Sequence, residues 1–305
     1  MSLHNAASLN PKFAILDHVR FEDTPEGLTR IVVKTPRAEA TLYTYGAHLT
    51  QWNPVGQHPG IYLSPKSALQ PGKAIRGGIP VLFPWFGPRS DGKEGPMHGF
   101  ARISEWNVES THFSPEGVVT ITLSLEADDH TRSLGFDHFR AAMQFEIGEH
   151  LDITLEVTNH GSEDLIFEEG LHTYFAVGDI TKVATEGLEG TTYLDKRDDF
   201  KRKVQTTKLL TYTRDVDQVH LNTTSALTIH DDAWKREIHI EKQGSNTTVT
   251  WNPWSVLSPG LPDLDPESWK HFVCVETVNV GENKIMLAPG ATHRMDSNVR
   301  ITAKA

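Results

Sequence analysis

Two side chains sit where a plain scaffold has no use for them. Glu276 ends the apolar run HFVCVET, and strand alternation gives it a face in common with Cys274 and Phe272 rather than with solvent-facing residues. Burying an ionised carboxylate costs several kcal/mol unless it is paired or hydrogen-bonded. Its presence therefore points either to a structural ion pair or to a carboxylate tuned for proton transfer. His172 lies in FEEGLHTYF, between apolar and aromatic residues. An imidazole there is expected to be partly buried and hydrogen-bonded at one nitrogen, in a structural or an acid–base role.

A second group could grip an anion. Arg76 stands in AIRGGIPVLFPWFGP and Arg102 in MHGFAR, each beside glycine and apolar residues where an exposed lysine would be more ordinary. Arginine offers a planar donor fork that holds phosphate or carboxylate at two points. Residues 73–102 carry Lys73, Arg76, Arg89, Lys93 and Arg102 against Asp91 and Glu94, a local net charge of +3 in a chain of net charge −11. Pairing with acidic neighbours is the competing explanation. Pro80, Pro84 and Pro88 stiffen the same stretch and argue against a central strand. Phe83, Trp85 and Phe86 give it flat apolar faces, which suit either a loop that plugs the core or one that stacks on a sugar ring.

The elements that must position these residues are strands. Val119, Ile121, Leu123 and Leu125 alternate with Thr120, Thr122 and Ser124, and Leu151, Ile153, Leu155 and Val157 alternate with Asp152, Thr154 and Glu156. Similar short runs, LTRIVVKT, ATLYTYGAHLTQW, AAMQFEI, REIHIEK, TTVTW and VRITA, are bounded by turn residues. Residues 128–133 and 214–219 are expected to hold single helical turns. The pattern predicts an all-β sandwich or barrel. No linker or repeat divides the 305 residues, so one domain spans 1–305, with 1–12 expected as a flexible tail.

The acidic balance argues against nucleic acid or anionic membrane as partners. Cys274 is the single cysteine, which precludes an internal disulfide and a multi-cysteine metal site and fits a cytoplasmic setting. The first residues do not read as a signal peptide, and no apolar run approaches membrane length.

In their order along the chain, IRGGIPVLFPWFGP, HGFAR with Trp106 close behind, EGLHTYF, TTYLD, WNPW and VCVET resemble the hexose-6-phosphate mutarotases, the phosphosugar branch of the aldose 1-epimerase superfamily. Tyr45-Gly46-Ala47 fits the same pattern. The resemblance implies a single-domain antiparallel β-supersandwich of the galactose mutarotase type. It implies an isomerase that interconverts α and β anomers of a hexose 6-phosphate, glucose 6-phosphate foremost, with no metal and no organic cofactor. Carried onto this sequence, His172 becomes the general acid and Glu276 the general base. Arg76 and Arg102 would hold phosphate or sugar hydroxyls, and His98 and Asp195 would line the sugar site. Some relatives carry an amide side chain where this chain has Met97. The expected partner is a small phosphosugar and the expected state a monomer. The competing readings are an aldose 1-epimerase of unphosphorylated hexose and a non-catalytic carbohydrate-binding protein.

Overall fold

The computed structural model describes residues 5–304. The alternating runs become strands. Val119, Ile121, Leu123, Leu151, Ile153 and Leu155 are buried and the intervening Thr120, Thr122 and Asp152 are half-exposed. Each such apolar side chain taken from water contributes about 1.5–3 kcal/mol, which fixes the inward face.

Every strand-to-strand ladder is antiparallel. Four consecutive strands, Val19–Asp23, Thr29–Lys34, Ala38–Tyr43 and His48–Pro54, form a meander. A nine-stranded sheet has Arg236–Gln243, Thr292–Ala303, Leu151–Asn159 and Phe139–Ile147 at its centre. An eight-stranded sheet runs in the order Lys201–Val204, Thr192–Asp195, Val216–Leu221, Thr247–Asn252, Phe272–Asn279, Glu169–Leu171, Val81–Leu82, and Tyr174–Ala176 also pairs with Phe272–Asn279. The main core joins the large sheets: Ile121, Phe145, Leu155 and Ile238 of one share it with Val273, Val275 and Leu171 of the other. Because Val273 and Val275 face this core, alternation turns Phe272, Cys274 and Glu276 to the other face.

Three local expectations are corrected or refined. Residues 214–219 are not a helical turn: Val216–Leu221 is a central strand, buried on both faces apart from the half-exposed Asp217. Asp129–Ser133 is helical, started by Asp128, whose carboxylate accepts from the Thr131 amide. The expected tail at 1–12 is partly ordered. Asn5 caps a helix over Ala6–Phe13, and Leu9 is buried in the core. The start of that tail, 1–4, including the opening Met-Ser-Leu, lies outside the described residues. No described helix is long and apolar enough to cross a membrane.

Candidate active site

The segment between Glu169–Leu171 and Tyr174–Ala176 carries His172. Leu171 pairs with Thr277 and Tyr174 with Cys274 on the same partner strand, so the continuing register sets His172 opposite Glu276. Their side chains meet, with Nε2 of His172 3.3 Å from Oε1 of Glu276. Both are buried, Glu276 almost completely. Neither Nδ1 of His172 nor Oε2 of Glu276 has a hydrogen-bond partner. Rings fix the imidazole: it stacks on Tyr174 at 4.9 Å and meets the edges of Trp251 at 5.9 Å and His98 at 5.8 Å.

Electrostatics follow from this setting. Burial pushes the Glu276 carboxyl well above its ordinary range; Lys196 opposes the shift and Asp217 adds to it. Burial also pushes His172 well below its ordinary value, helped by His98, Arg76 and Arg102. Both effects favour the uncharged pair, a carboxylic acid beside a neutral imidazole. The charged pair, carboxylate with imidazolium, contains the same number of protons, so the two forms differ only in where one proton sits.

The arginines approach from the Tyr174 side. Arg76 donates from Nη1 to the Tyr174 hydroxyl at 3.0 Å, and its Nε lies 3.1 Å from Oδ1 of Asp263. Tyr174 and Asp263 push this guanidinium further up from its ordinary value. Arg102 donates from Nη2 to the Met97 carbonyl at 2.7 Å, and its Nε is buried without a partner. Burial lowers its hold on its proton, and the like charge of Arg76 adds to this. Met97 therefore enters through its backbone, which orients Arg102.

The proline-rich loop that presents the arginines both plugs the core and rims the site. Phe83 is fully buried against Phe100, Phe139 and Phe167, at 5.8, 5.1 and 5.4 Å. Phe86 instead meets His98 at 4.9 Å. Glu168 bolts this rim down, accepting from the Phe86 amide and from the Gly281 amide, both at 2.7 Å. His98 has a positive φ of 63°, and its Nδ1 accepts from the Gly87 amide at 3.1 Å, which assigns the neutral ring's proton to Nε2. Burial, reinforced by Arg102, Lys196 and Arg76, lowers His98 to about 3, so it is a neutral donor.

The structure thus brings together His172, Glu276, Arg76, Arg102 and His98, but not Asp195. Asp195 pairs with Gln218, in the row that faces away from Glu276. Its carboxylate accepts from Lys203 Nζ at 2.7 Å and from the Arg197 amide at 3.0 Å. The neighbouring Lys196 points the other way. Its ammonium lies 3.1 Å from Oδ2 of Asp217 and 5.4 Å from the Phe86 ring centre. Sequence reasoning missed Lys196, Asp217 and Asp263, whose placement depends on cross-strand register and on a long excursion between strands. Among the described residues, no group of three or more His, Cys, Asp or Glu side chains is arranged to hold a metal ion.

An antiparallel β-supersandwich with a buried imidazole–carboxylate pair defines a class, and comparison with known proteins identifies it. The aldose 1-epimerase family model matches residues 29–300, and the chain belongs to that family: it is an isomerase acting on carbohydrate. The protein named "Putative glucose-6-phosphate 1-epimerase" of Escherichia coli (strain K12) is 36% identical over 271 residues, 88% of this chain and 90% of that protein. One of the same name from Cenchrus ciliaris is 30% identical, covering 89% and 84%. The crystal structure of a "putative mutarotase (YeaD)" from Salmonella typhimurium superposes with a TM-score of 0.89 at 31% identity, covering 96% of each chain. Galactose 1-epimerase from Lactobacillus acidophilus, 13% identical with a TM-score of 0.72 over 94% of this chain and 99% of that one, shares the fold.

Proposed function

We propose that the protein interconverts the α and β anomers of a hexose 6-phosphate, glucose 6-phosphate foremost, with Glu276 and His172 as the proton-transfer pair. The observation that carries this reading is the 3.3 Å approach of Nε2 to Oε1 in a buried site flanked by two arginines. The cycle starts from the charged arrangement of the pair, reached from the uncharged one by moving one proton from Oε1 of Glu276 to Nε2 of His172; in the forward half, the Glu276 carboxylate takes the proton of the anomeric hydroxyl as the C1–ring-oxygen bond breaks. The His172 imidazolium gives its Nε2 proton to the departing ring oxygen. The open aldehyde turns about C1–C2. On closure His172 takes the proton back from the attacking hydroxyl, and Glu276 returns one to the carbonyl oxygen. Protons balance, no electrons move and no group is transferred, so these two side chains suffice for the chemistry.

The phosphate anchors and does not react. Arg76 and Arg102 raise each other's energy by like charge, and a dianion between them relieves that repulsion with charge-assisted hydrogen bonds. His98, neutral with its Nε2 proton free of protein acceptors, is placed to donate to a sugar hydroxyl. A cytoplasmic setting goes with this reading, since the single Cys274 leaves no intrachain disulfide to form. The test is Arg102→Ala, followed by NMR exchange between anomers. KM for glucose 6-phosphate should rise about tenfold or more, while the rate on free glucose changes little. Equal losses on both sugars refute the phosphate role.

A further inference from the structure

Resting on the phosphate-anchoring reading above, we propose that His48 is a positioning residue for that anchor: its buried imidazole pins the Arg76-Gly77-Gly78 turn and so sets where the Arg76 guanidinium stands relative to Arg102.

One short stretch of chain bonds to the segments that carry both arginines. Residues 44–49 lead into and begin the strand His48–Pro54. Toward Arg102, the Trp106 amide donates to the Thr44 carbonyl at 3.0 Å and the Gly46 amide donates to the Ser104 carbonyl at 2.7 Å. A Cβ on Gly46 would stand 2.7 Å from the Arg102 carbonyl oxygen, so the absence of a side chain lets the Arg102 backbone come this close. Toward Arg76, the Ile79 amide donates to the Leu49 carbonyl at 2.8 Å, and Nε2 of His48 donates to the Gly77 carbonyl at 2.8 Å. The His48 side chain therefore acts on the peptide next to Arg76.

That turn needs a pin. Gly77 and Gly78 have φ of +98° and +69°. Consecutive glycines have the widest choice of backbone angles, so a turn made of them keeps its shape only where outside contacts fix it. The Arg76 amide is tied to the Ser67 hydroxyl at 2.8 Å, which holds the near end. The imidazole holds the far end. It donates to Gly77, and it fills the space over Gly78, where a Cβ would lie 2.4 Å from its Nε2.

The ring is costly for a residue that only fills space. His48 is fully buried. The accepting carbonyl puts the neutral ring's proton on Nε2, and Nδ1 is left buried with no partner. An apolar side chain would fill the place without that cost. Burial lowers the ring's hold on a second proton, the Gly77 bond opposes this and Arg102 adds to it, so His48 stays a neutral donor and not a further cation beside the arginines. Alignment is what the anchor needs from it. Arg76 uses Nη1 on Tyr174 and turns Nε to Asp263, so its remaining donors meet a phosphate from one direction. Charge-assisted hydrogen bonds weaken steeply when the donor swings out of line.

The experiment measures kcat and KM by anomer-exchange NMR for glucose 6-phosphate and for free glucose, in wild type, His48→Leu, His48→Asn and His48→Gln, and repeats the first two substitutions in an Arg76→Ala background. Glutamine carries an amide N–H about as far along its side chain as Nε2, asparagine stops short of Gly77, and leucine has no donor. In His48→Leu and His48→Asn the ratio of kcat/KM for the phosphosugar to that for free glucose should fall about three- to tenfold, through KM. His48→Gln should keep most of the wild-type ratio. In the Arg76→Ala background the same substitutions should move the ratio by less than about twofold, because the residue through which His48 acts is gone. The ratio is taken within each variant, so partial unfolding cancels, and His48→Asn carries the comparison where His48→Leu does not fold. An unchanged ratio, a loss that His48→Gln shares in full, or a loss undiminished in the Arg76→Ala background overturns the pin. A wild type inert on glucose 6-phosphate, or with no preference for it over free glucose, overturns the phosphate-anchoring reading itself, and shows before any variant is compared.

Discussion

At the scale of single residues, the proposed chemistry rests on the buried pair. Glu276→Gln keeps the volume and hydrogen-bonding capacity of the side chain and removes only its ability to take a proton. The expected result is a fall in anomer exchange of about 10²–10⁴-fold, with near-UV circular dichroism and the unfolding midpoint little changed. A variant that retains much of the wild-type rate would mean that another base operates. Glu276 and His172 were legible in the sequence as polar residues in apolar surroundings, and family resemblance gave them roles. Lys196 and Asp217 were not. Lys196 in YLDK and Asp217 in DVDQV look like ordinary surface charges until the register Asp217–Trp251–Cys274 sets them on the face of Glu276. Asp195 illustrates the converse: one step of alternation sends it to Lys203.

At the scale of elements, the loop bearing His98 and Arg102 depends on one backbone crossing. Gly99 has a φ of +77°, and a Cβ placed on it would lie 2.0 Å from the Phe83 carbonyl oxygen. That oxygen belongs to the aromatic plug and cannot give way. Gly99→Ala should destabilise the fold by about 3 kcal/mol and weaken phosphosugar binding, since both neighbours shift. Gly290→Ala is the control: its φ is +73° but nothing lies within 4 Å, so only the conformational cost, about 1 kcal/mol, should appear. Urea midpoints compare the two. Strand existence was legible from period-two runs such as 119–125 and 151–157. The N-terminal helix was not, because Ala6–Phe13 is short and contains Pro11, and its order comes from the tertiary contacts of Leu9, Ala6 and Phe13. Residues 214–219 were misread because a central strand with polar residues on both faces has no clean alternation.

At the scale of the whole molecule, buried histidines make the fold acid-sensitive. Burial lowers His48 to about 4 and His98 and His220 to about 3, while in the unfolded chain each titrates near 6.5. Between those values the unfolded state binds protons that the folded state refuses. The stability these groups contribute is present above pH 6.5 and lost as pH falls through the window. Glu105, raised to about 7 by burial, runs the other way between 4.5 and 7 and offsets one of the three. A net difference of two protons gives a slope of roughly 3 kcal/mol per pH unit. Urea unfolding at pH 6.5, 5.5 and 4.5 should show a steep fall in stability; a flat profile would mean that the histidines find water or partners when charged.

The ladder that sets His172 across from Glu276 has a kinetic consequence. In the proposed cycle the base rides on a strand and the acid on the short segment between two strands paired with it, so neither half of the cycle requires a segment to swing. Ring opening leaves the pair in its uncharged form and closure restores the charged one, with the proton handed back by the sugar itself. Under that proposal bulk buffer is never asked to recharge the pair between turnovers, and burial that would starve an ordinary acid–base enzyme of solvent protons would leave this one self-resetting in either direction.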